Sequence, residues 1–575
     1  MPFLDRLGRW RNLACLLPFL VFSGVPEPVA AAPSSAACQV LPWAGIAERG
    51  RLEDIPAGVG GDLESGGRIA SVRYRREPIF DASQSGENND VFRLANRLHV
   101  LTRESAVVEQ VPFLLAGERF VPLELVEAER ILRGVDWHYD ARVVPVRRCG
   151  DLFDIVVLTR DVWTILPTAA FDRSGGESSY SIGVEDENLL GRGETLGFVY
   201  ENGVDRSGAG LFFFDPAVAG SAWRLNASAA DNDDGHRFRV NLRKPFRNLD
   251  ELSSRGILLL DDARVQPLFD GGFRVAQFRQ DTRQVTARQA WSSGRSNGHV
   301  RRWSLGVSYW DYEFESEPGA SQPARLPRHR RALYPFIGFE AIEDDFVPIS
   351  NLSLIGRAQD VHLGRRLVGS IGVSPDAFGA DDGRVLFNAL WRDGWRPGAA
   401  MIVTGFSRVD GAVTTGDGEA ENLVVSIGGE IHRLQTDAFR LFASVDATYT
   451  RGLTDDRQLQ LGGSRGLRAY PQRFQQGDRR LRMRLEERWY AAGEPLRLFR
   501  WGASLFLDAG RAWFPGDEND DEEDGWLANI GVGVRLMPTR LPTSSMIHID
   551  LAAPLRTGGR DVDDIQLSVT LRQGF

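Results

Sequence analysis

From about Thr164 to its end the chain alternates apolar and polar residues. Beyond the first 32 residues no segment holds the 18 or more continuous apolar residues that a spanning helix requires. Trp303, Leu305, Val307 and Tyr309 alternate with Ser304, Gly306 and Ser308. Ile547, Ile549 and Leu551 alternate with His548 and Asp550, and Ile565, Leu567, Val569 and Leu571 with Gln566, Ser568, Thr570 and Arg572. A period of two gives a strand one apolar and one polar face. If such a chain enters a membrane, it must do so as a closed barrel, because only then does every backbone group find a partner without water.

A soluble sandwich also alternates, and three features favour the barrel. The polar face carries Arg, Asp and Glu at strand centres, which suits a wet lumen. Short turns, as at 188–193 and 215–220, alternate with longer loops such as the acidic 516–525. The chain ends on Phe575, directly after an alternating strand. Roughly 400 residues of hairpins predict a transmembrane antiparallel β-barrel of about 16 strands.

The chain before the barrel divides into three. Residues 1–32 read as a secretory signal: Arg6, Arg9 and Arg11, then the apolar Leu13 to Phe22, then the small residues Val29-Ala30-Ala31. Residues 33–69, rich in Gly and small residues, read as a flexible lead-in. Residues 70–165 read as a small α+β domain: a strand at 70–74, helices over 89–101 and from Pro122, and strands at 140–147 and 152–159. The barrel then takes 166–575. Of the cysteines left after cleavage, Cys38 and Cys149 can pair in an oxidising compartment, the alternative being two free thiols.

The residues point away from chemistry. A net charge of −10 argues against a nucleic-acid partner. The eight His are scattered, and no zinc spacing, nucleophile elbow or phosphate loop occurs. No catalytic residue, metal or cofactor is expected. The acidic run 517–524 lacks a calcium-loop spacing and reads as a solvated loop.

One stretch is more specific. Residues 461–470 read Leu-Gly-Gly-Ser-Arg-Gly-Leu-Arg-Ala-Tyr. Together with Phe506-Leu507-Asp508-Ala509-Gly510 and with Glu486 and Arg488, this resembles the BamA/TamA outer-membrane assembly family (bacterial surface antigens). Gly462, Gly463, Leu467, Arg468 and Tyr470 match its loop motif, and Ala469 stands where that family has Gly. The turn at 188–193 is similar to its first barrel turn, and the domain at 70–165 resembles a single polypeptide-transport-associated (POTRA) domain. Parity puts Asp508 and Glu486 on the polar side of their strands, facing the lumen. The resemblance implies that Arg468 folds inward onto Asp508, a pair that can be bidentate. The alternative is a solvated loop charge.

The first and last barrel strands, read as 180–187 and 565–575, must close the barrel. Gly183, Gly574 and the terminal Phe575 lie there, and Gly weakens a strand. The resemblance implies a seam that opens sideways and templates client strands; the alternative is an ordinary closed seam. The expected activity is insertion of outer-membrane proteins. It would use the seam and a periplasmic domain whose edge strand takes client segments. Partners would be unfolded outer-membrane or secreted polypeptides, outer-membrane lipid, and periplasmic or lipoprotein accessories. A two-partner-type secretion pore and a passive solute channel are the other readings.

Overall fold

The computed structural model describes residues 38–84, 86–352, 354–463, 466–516, 525–541, 545–557, 559–560 and 562–573. The signal reading, the acidic run, Gly574 and Phe575 fall outside the described residues.

The N-terminal domain is a four-stranded sheet in the order β1-β3-β4-β2. β1 is Cys38–Val40, β2 Arg68–Glu77, β3 His138–Cys149 and β4 Leu152–Asp161. β4 runs parallel to β2 and antiparallel to β3. Its Ile155-Val156-Val157-Leu158 does not alternate, as expected of a strand covered on both faces. On one face lies α4 (Pro122–Arg133), whose Leu125, Ala128 and Leu132 pack against Val143, Ile155 and Val157. On the other, α1 (Ala44–Arg49) and the turn after it place Ala44, Ala47, Leu52 and Ile55 against Val144, Val146, Val156 and Leu158. Pro122 opens α4, where its missing N–H is no loss. Asn89 caps α2 (Asp90–Leu98) by accepting the Phe92 N–H at 2.9 Å. The strand, helices, strand, strand order read from the sequence is present, with α3 (Glu104–Gln110) added.

The stretch read as a flexible lead-in is instead folded onto the sheet. Its Gly content hid the four buried apolar side chains, Ala44, Ala47, Leu52 and Ile55, that cover β3 and β4. Its start is fixed by a disulfide between Cys38 and Cys149, whose Cα atoms lie 4.2 Å apart.

Among the described residues the barrel is closed, antiparallel and twenty-stranded, not about sixteen-stranded. The excess comes from its beginning. The six strands between Ile165 and Lys244 are only eight to ten residues long and are joined by tight turns, so they use less chain than average hairpins. Later strands reach 24 residues, at Phe273–Ser296. The wall is inside-out relative to a soluble protein. Trp303, Leu305 and Val307 are exposed, while Ser304 and Ser308 are buried. Ile530, Val532 and Val534 are exposed, while Asn529 and Arg535 are buried. An apolar outside and a polar inside is the outer-membrane arrangement. Among the described residues no helix is long and apolar enough to cross a membrane.

The N-terminal domain sits against one end of the barrel. The turn at 188–193 shows how closely. Gly191 and Gly193 have positive φ, and a Cβ would meet the Leu101 carbonyl at 2.7 Å on the first and the Trp137 ring at 2.7 Å on the second. Arg103 N–H donates to the Gly191 carbonyl at 2.7 Å, and Asn188 Nδ2 donates to Thr102 Oγ1 at 2.8 Å. A few strands along the same mouth Arg540 donates to Glu87 at 2.8 Å.

Candidate functional site

At the barrel end away from the domain, residues 452–478 fold inward. A short hairpin, Leu459–Leu461 with Gln475–Gly477, carries the motif loop at its tip. Gly462 (φ 126°) and Gly463 (φ 50°) turn the chain there. At Gly462 a Cβ would lie 2.4 Å from the Pro471 carbonyl. Ala469 has no positive φ and is fully buried, so the Gly-to-Ala departure needs no left-handed backbone.

Arg468 is 4% exposed and lies in the hollow of the wall. Its Nε and Nη2 donate side-on to the two Asp508 oxygens, each at 2.8 Å, and Nη1 donates to Asp550 at 3.1 Å. Glu486 is 3.7 Å from Nη1, and the guanidinium stacks over Phe506 at 3.2 Å from the ring centroid. The carboxylates are shared outward. Arg484 and Asn529 donate to Asp508 at 3.2 and 3.1 Å, Arg535 to Glu486 at 2.9 Å and to Asp550, and Arg488 lies 3.3 Å from Glu486. Three buried carboxylates are thus held among four guanidiniums. Removing charges from water is costly, and only such dense pairing offsets that cost.

Apolar contacts seat the same loop. Leu467, Tyr470 and Phe474 pack with Phe506, Leu527 and Ala552. The Tyr470 hydroxyl accepts the Ala528 N–H at 3.1 Å and lies within donating distance of the carbonyls of Arg556 (2.7 Å) and Ala528 (2.8 Å). Gln472 N–H donates to the Gly175 carbonyl at 3.2 Å and Gln458 Nε2 to the Phe269 carbonyl at 2.7 Å, so the loop reaches both the turn after the first barrel strand and the end of strand Ser253–Asp270.

The structure therefore brings Gly462, Gly463, Leu467, Arg468, Tyr470, Glu486 and Asp508 into one site. Sequence reasoning missed Asp550 and Arg535. Asp550 and Arg535 fall on the polar side of alternating strands, which was the available signal. Phe506, the aromatic of the strand motif, faces inward beside Asp508, and its place under the Arg468 guanidinium was not foreseen.

The seam reading needs correction. The first barrel strand is β5 (Ile165–Ser174), and Gly183 lies in the second, β6 (Glu177–Asp186), between Thr168 and Val199. β5 escaped notice because Ile165-Leu166-Pro167-Thr168-Ala169-Ala170 does not alternate. The seam is between β5 and the last strand, Gln566–Gln573. Among the described residues it registers one pair, Val569 with Arg173. The adjoining pairings register ten residues (β5 with β6) and eight (the last two strands).

The domain end of the barrel is also crossed by a folded segment. Residues 344–365, between strands Arg330–Glu343 and Arg366–Ser374, form a hairpin that turns into the mouth. Its Leu354 and Ile355 pack with Tyr490, Met537 and Met546 on the far wall. Ile349 and Leu352 pack with Leu363 and Ile402. The N-terminal domain holds it from below: Arg133 donates to Asp360 at 2.6 and 3.0 Å, and Arg357 donates to the carbonyls of His138 and Tyr139 at 3.0 Å.

No protein-family model matches the chain, and no curated protein matches it. Among solved structures it is similar to BamA from Haemophilus ducreyi lacking POTRA domains 1–3. That match has 12% identity and a TM-score of 0.38, and covers 88% of this chain and 84% of that one. CdiB from Escherichia coli matches at 13% identity and a TM-score of 0.43, covering 88% of this chain and 76% of that one. CdiB from Acinetobacter baumannii matches at 10% identity and a TM-score of 0.43, covering 88% and 74%. Likeness at these scores carries no functional argument. The chain is similar to BamA and CdiB barrels over most of its length.

Proposed function

We propose that the protein is an outer-membrane assembly factor of the BamA/TamA type, acting through the barrel seam with its N-terminal domain in the periplasm. The observation that carries this reading is the contrast, among the described residues, between one registered pair at the seam and seven to eighteen along the rest of the wall. An opened seam offers unpaired backbone to an incoming strand, which then closes its own hydrogen bonds in lipid. Strand pairing and lipid burial of the client supply the driving force, so no nucleotide is required. The lumen is crossed at both ends, which favours a lateral route over a solute path through the middle.

Depletion of the protein, followed by quantitative proteomics of the outer membrane, tests this. The expected result is loss of several barrel proteins together. Loss of one secreted polypeptide alone would point to two-partner-type secretion, and an unchanged proteome would reject assembly.

A further inference from the structure

At the domain end of the wall, strands Gly235–Lys244 and Ser253–Asp270 are joined by a turn that touches α4: Leu249 N–H donates to Glu127 at 2.8 Å. Lys244 and Arg255 stand directly opposite each other on these strands. By parity both point outward, Lys244 in the row of Phe238 and Leu242 and Arg255 in that of Ile257. Two cations opposite each other repel. Ser253 pairs with Trp291, and Trp291 with Trp303. Both tryptophans are exposed, as in the aromatic girdle at a membrane interface. Arg255 therefore lies one outward position further into the apolar band.

No carboxylate neutralises Arg255. Its guanidinium stacks over the Trp223 ring at 5.1 Å and makes no hydrogen bond or ion pair among the described residues. Its cross-strand neighbours are Lys244 and Gln289. The two carboxylates of the turn are taken: Glu251 by Lys244 at 3.5 Å and Arg247 at 3.3 Å, Asp250 by Arg295 at 3.1 Å. Beside this unpaired charge the outer surface is hollowed. A concavity of about 1030 Å³ runs from Trp223 and Arg255 across the neighbouring strands. Ala287, a small side chain between Ile257 and Val307, leaves the space, and Leu242, Leu305 and Ile337 continue its apolar walls.

We infer that this is a binding site for an anionic phospholipid of the leaflet on the domain side. Its phosphate lies on Arg255 and Lys244, and an acyl chain lies in the hollow at Ala287. A guanidinium takes phosphate oxygens two at a time, and basic pockets at the interface suit anionic headgroups. Charge selects this occupant, because an apolar polypeptide segment would leave both cations unpaired. Strand Ser253–Asp270 is also the seventh from the seam, counting β5 as the first, so a strand entering there does not reach it. The inference needs the barrel to sit in a membrane and does not depend on the seam parting.

The test is native mass spectrometry of the purified full-length protein in detergent micelles. The probes are phosphatidylglycerol and phosphatidylcholine with identical acyl chains, at equal concentration. The unaltered protein should retain phosphatidylglycerol several-fold more than phosphatidylcholine. Arg255→Gln should remove most of that preference. Ala287→Trp, or the milder Ala287→Leu, should lower retention of both lipids by filling the hollow. Arg301→Gln, which removes another exposed cation of the outer face, should change neither. A heat-induced gel-mobility shift confirms that each variant compared is folded. Equal retention of the two lipids, or equal losses in Arg255→Gln and Arg301→Gln, would mean surrounding lipid only and would overturn the site. Unchanged retention with the hollow filled would overturn the seat of the chain. The depletion experiment reads the seam and this one a different wall, so either can fail alone.

Discussion

Two neighbouring parts of the barrel wall are built on opposite principles. Across strands Arg479–Tyr490 to Ser545–Pro554 the wall is pinned from inside by Arg468, with Glu486, Asp508 and Asp550 all nearly fully buried. One strand further on, the seam registers a single pair among the described residues. A barrel loosened everywhere would lose its lumen, and one pinned everywhere would have no edge to offer. The contrast teaches that opening can be confined to one strand pair when the wall beside it is fixed by buried charge.

The largest effect should come from breaking the pinned side. Asp508→Asn leaves Arg468 short of its bidentate partner inside the barrel. Uncompensated buried charge costs about 3–5 kcal/mol. The expected outcome is a loop newly open to protease and a lower temperature of heat-induced gel-mobility shift. The reciprocal swap, Arg468→Asp with Asp508→Arg, should not rescue it, because an Asp at 468 would face Glu486 and Asp550. Full rescue would mean that the pair acts alone and not as part of a network.

The comparison can be sharpened at the two mouths. Deleting residues 346–362 removes the hairpin but leaves the arginine loop. Steady conductance in planar bilayers should rise several-fold over the intact protein. No change would mean the hairpin does not limit the passage.

Smaller effects follow from single contacts. Tyr470→Phe keeps the ring and removes the hydroxyl shared with the Ala528 and Arg556 backbone. The cost should be about 1 kcal/mol by the same gel assay. Smaller still is a pH effect where the domain meets the first turn. Burial, then Asp136, Glu185 and Asp186, push Glu187 up to about 8 from its ordinary 4.5. An acid whose folded value is raised binds more protons folded than unfolded, so stability falls as pH rises between those values. Glu187→Gln should flatten that slope in thermal unfolding. Water reaches this partly exposed turn and keeps the effect modest.

Much of the pinned side was legible beforehand and little of the loose side was. Parity alone placed Asp508 and Glu486 in the lumen, because a strand shows two faces in its sequence. The loop motif then supplied Arg468. Asp550 and Arg535 could be placed inward by the same parity, but nothing in one strand says which residue of another it will meet. The seam was misplaced by one strand because β5 carries Pro167 and a pair of alanines and shows no period of two. The strand count fell short because turn spacing, not average strand length, sets how many short strands fit between 165 and 244. The closing hairpin at 346–362 alternates like its neighbours, and only its long-range contacts take it out of the wall.

The central claim is that the barrel works by parting at one seam. Arg173→Cys with Val569→Cys, in a background with Cys38 and Cys149 replaced by Ser, places a disulfide at the registered pair. The account predicts that cells depending on this variant lose outer-membrane barrel proteins when the bond forms and regain them on adding reductant. Normal assembly by protein verified as fully crosslinked would contradict it.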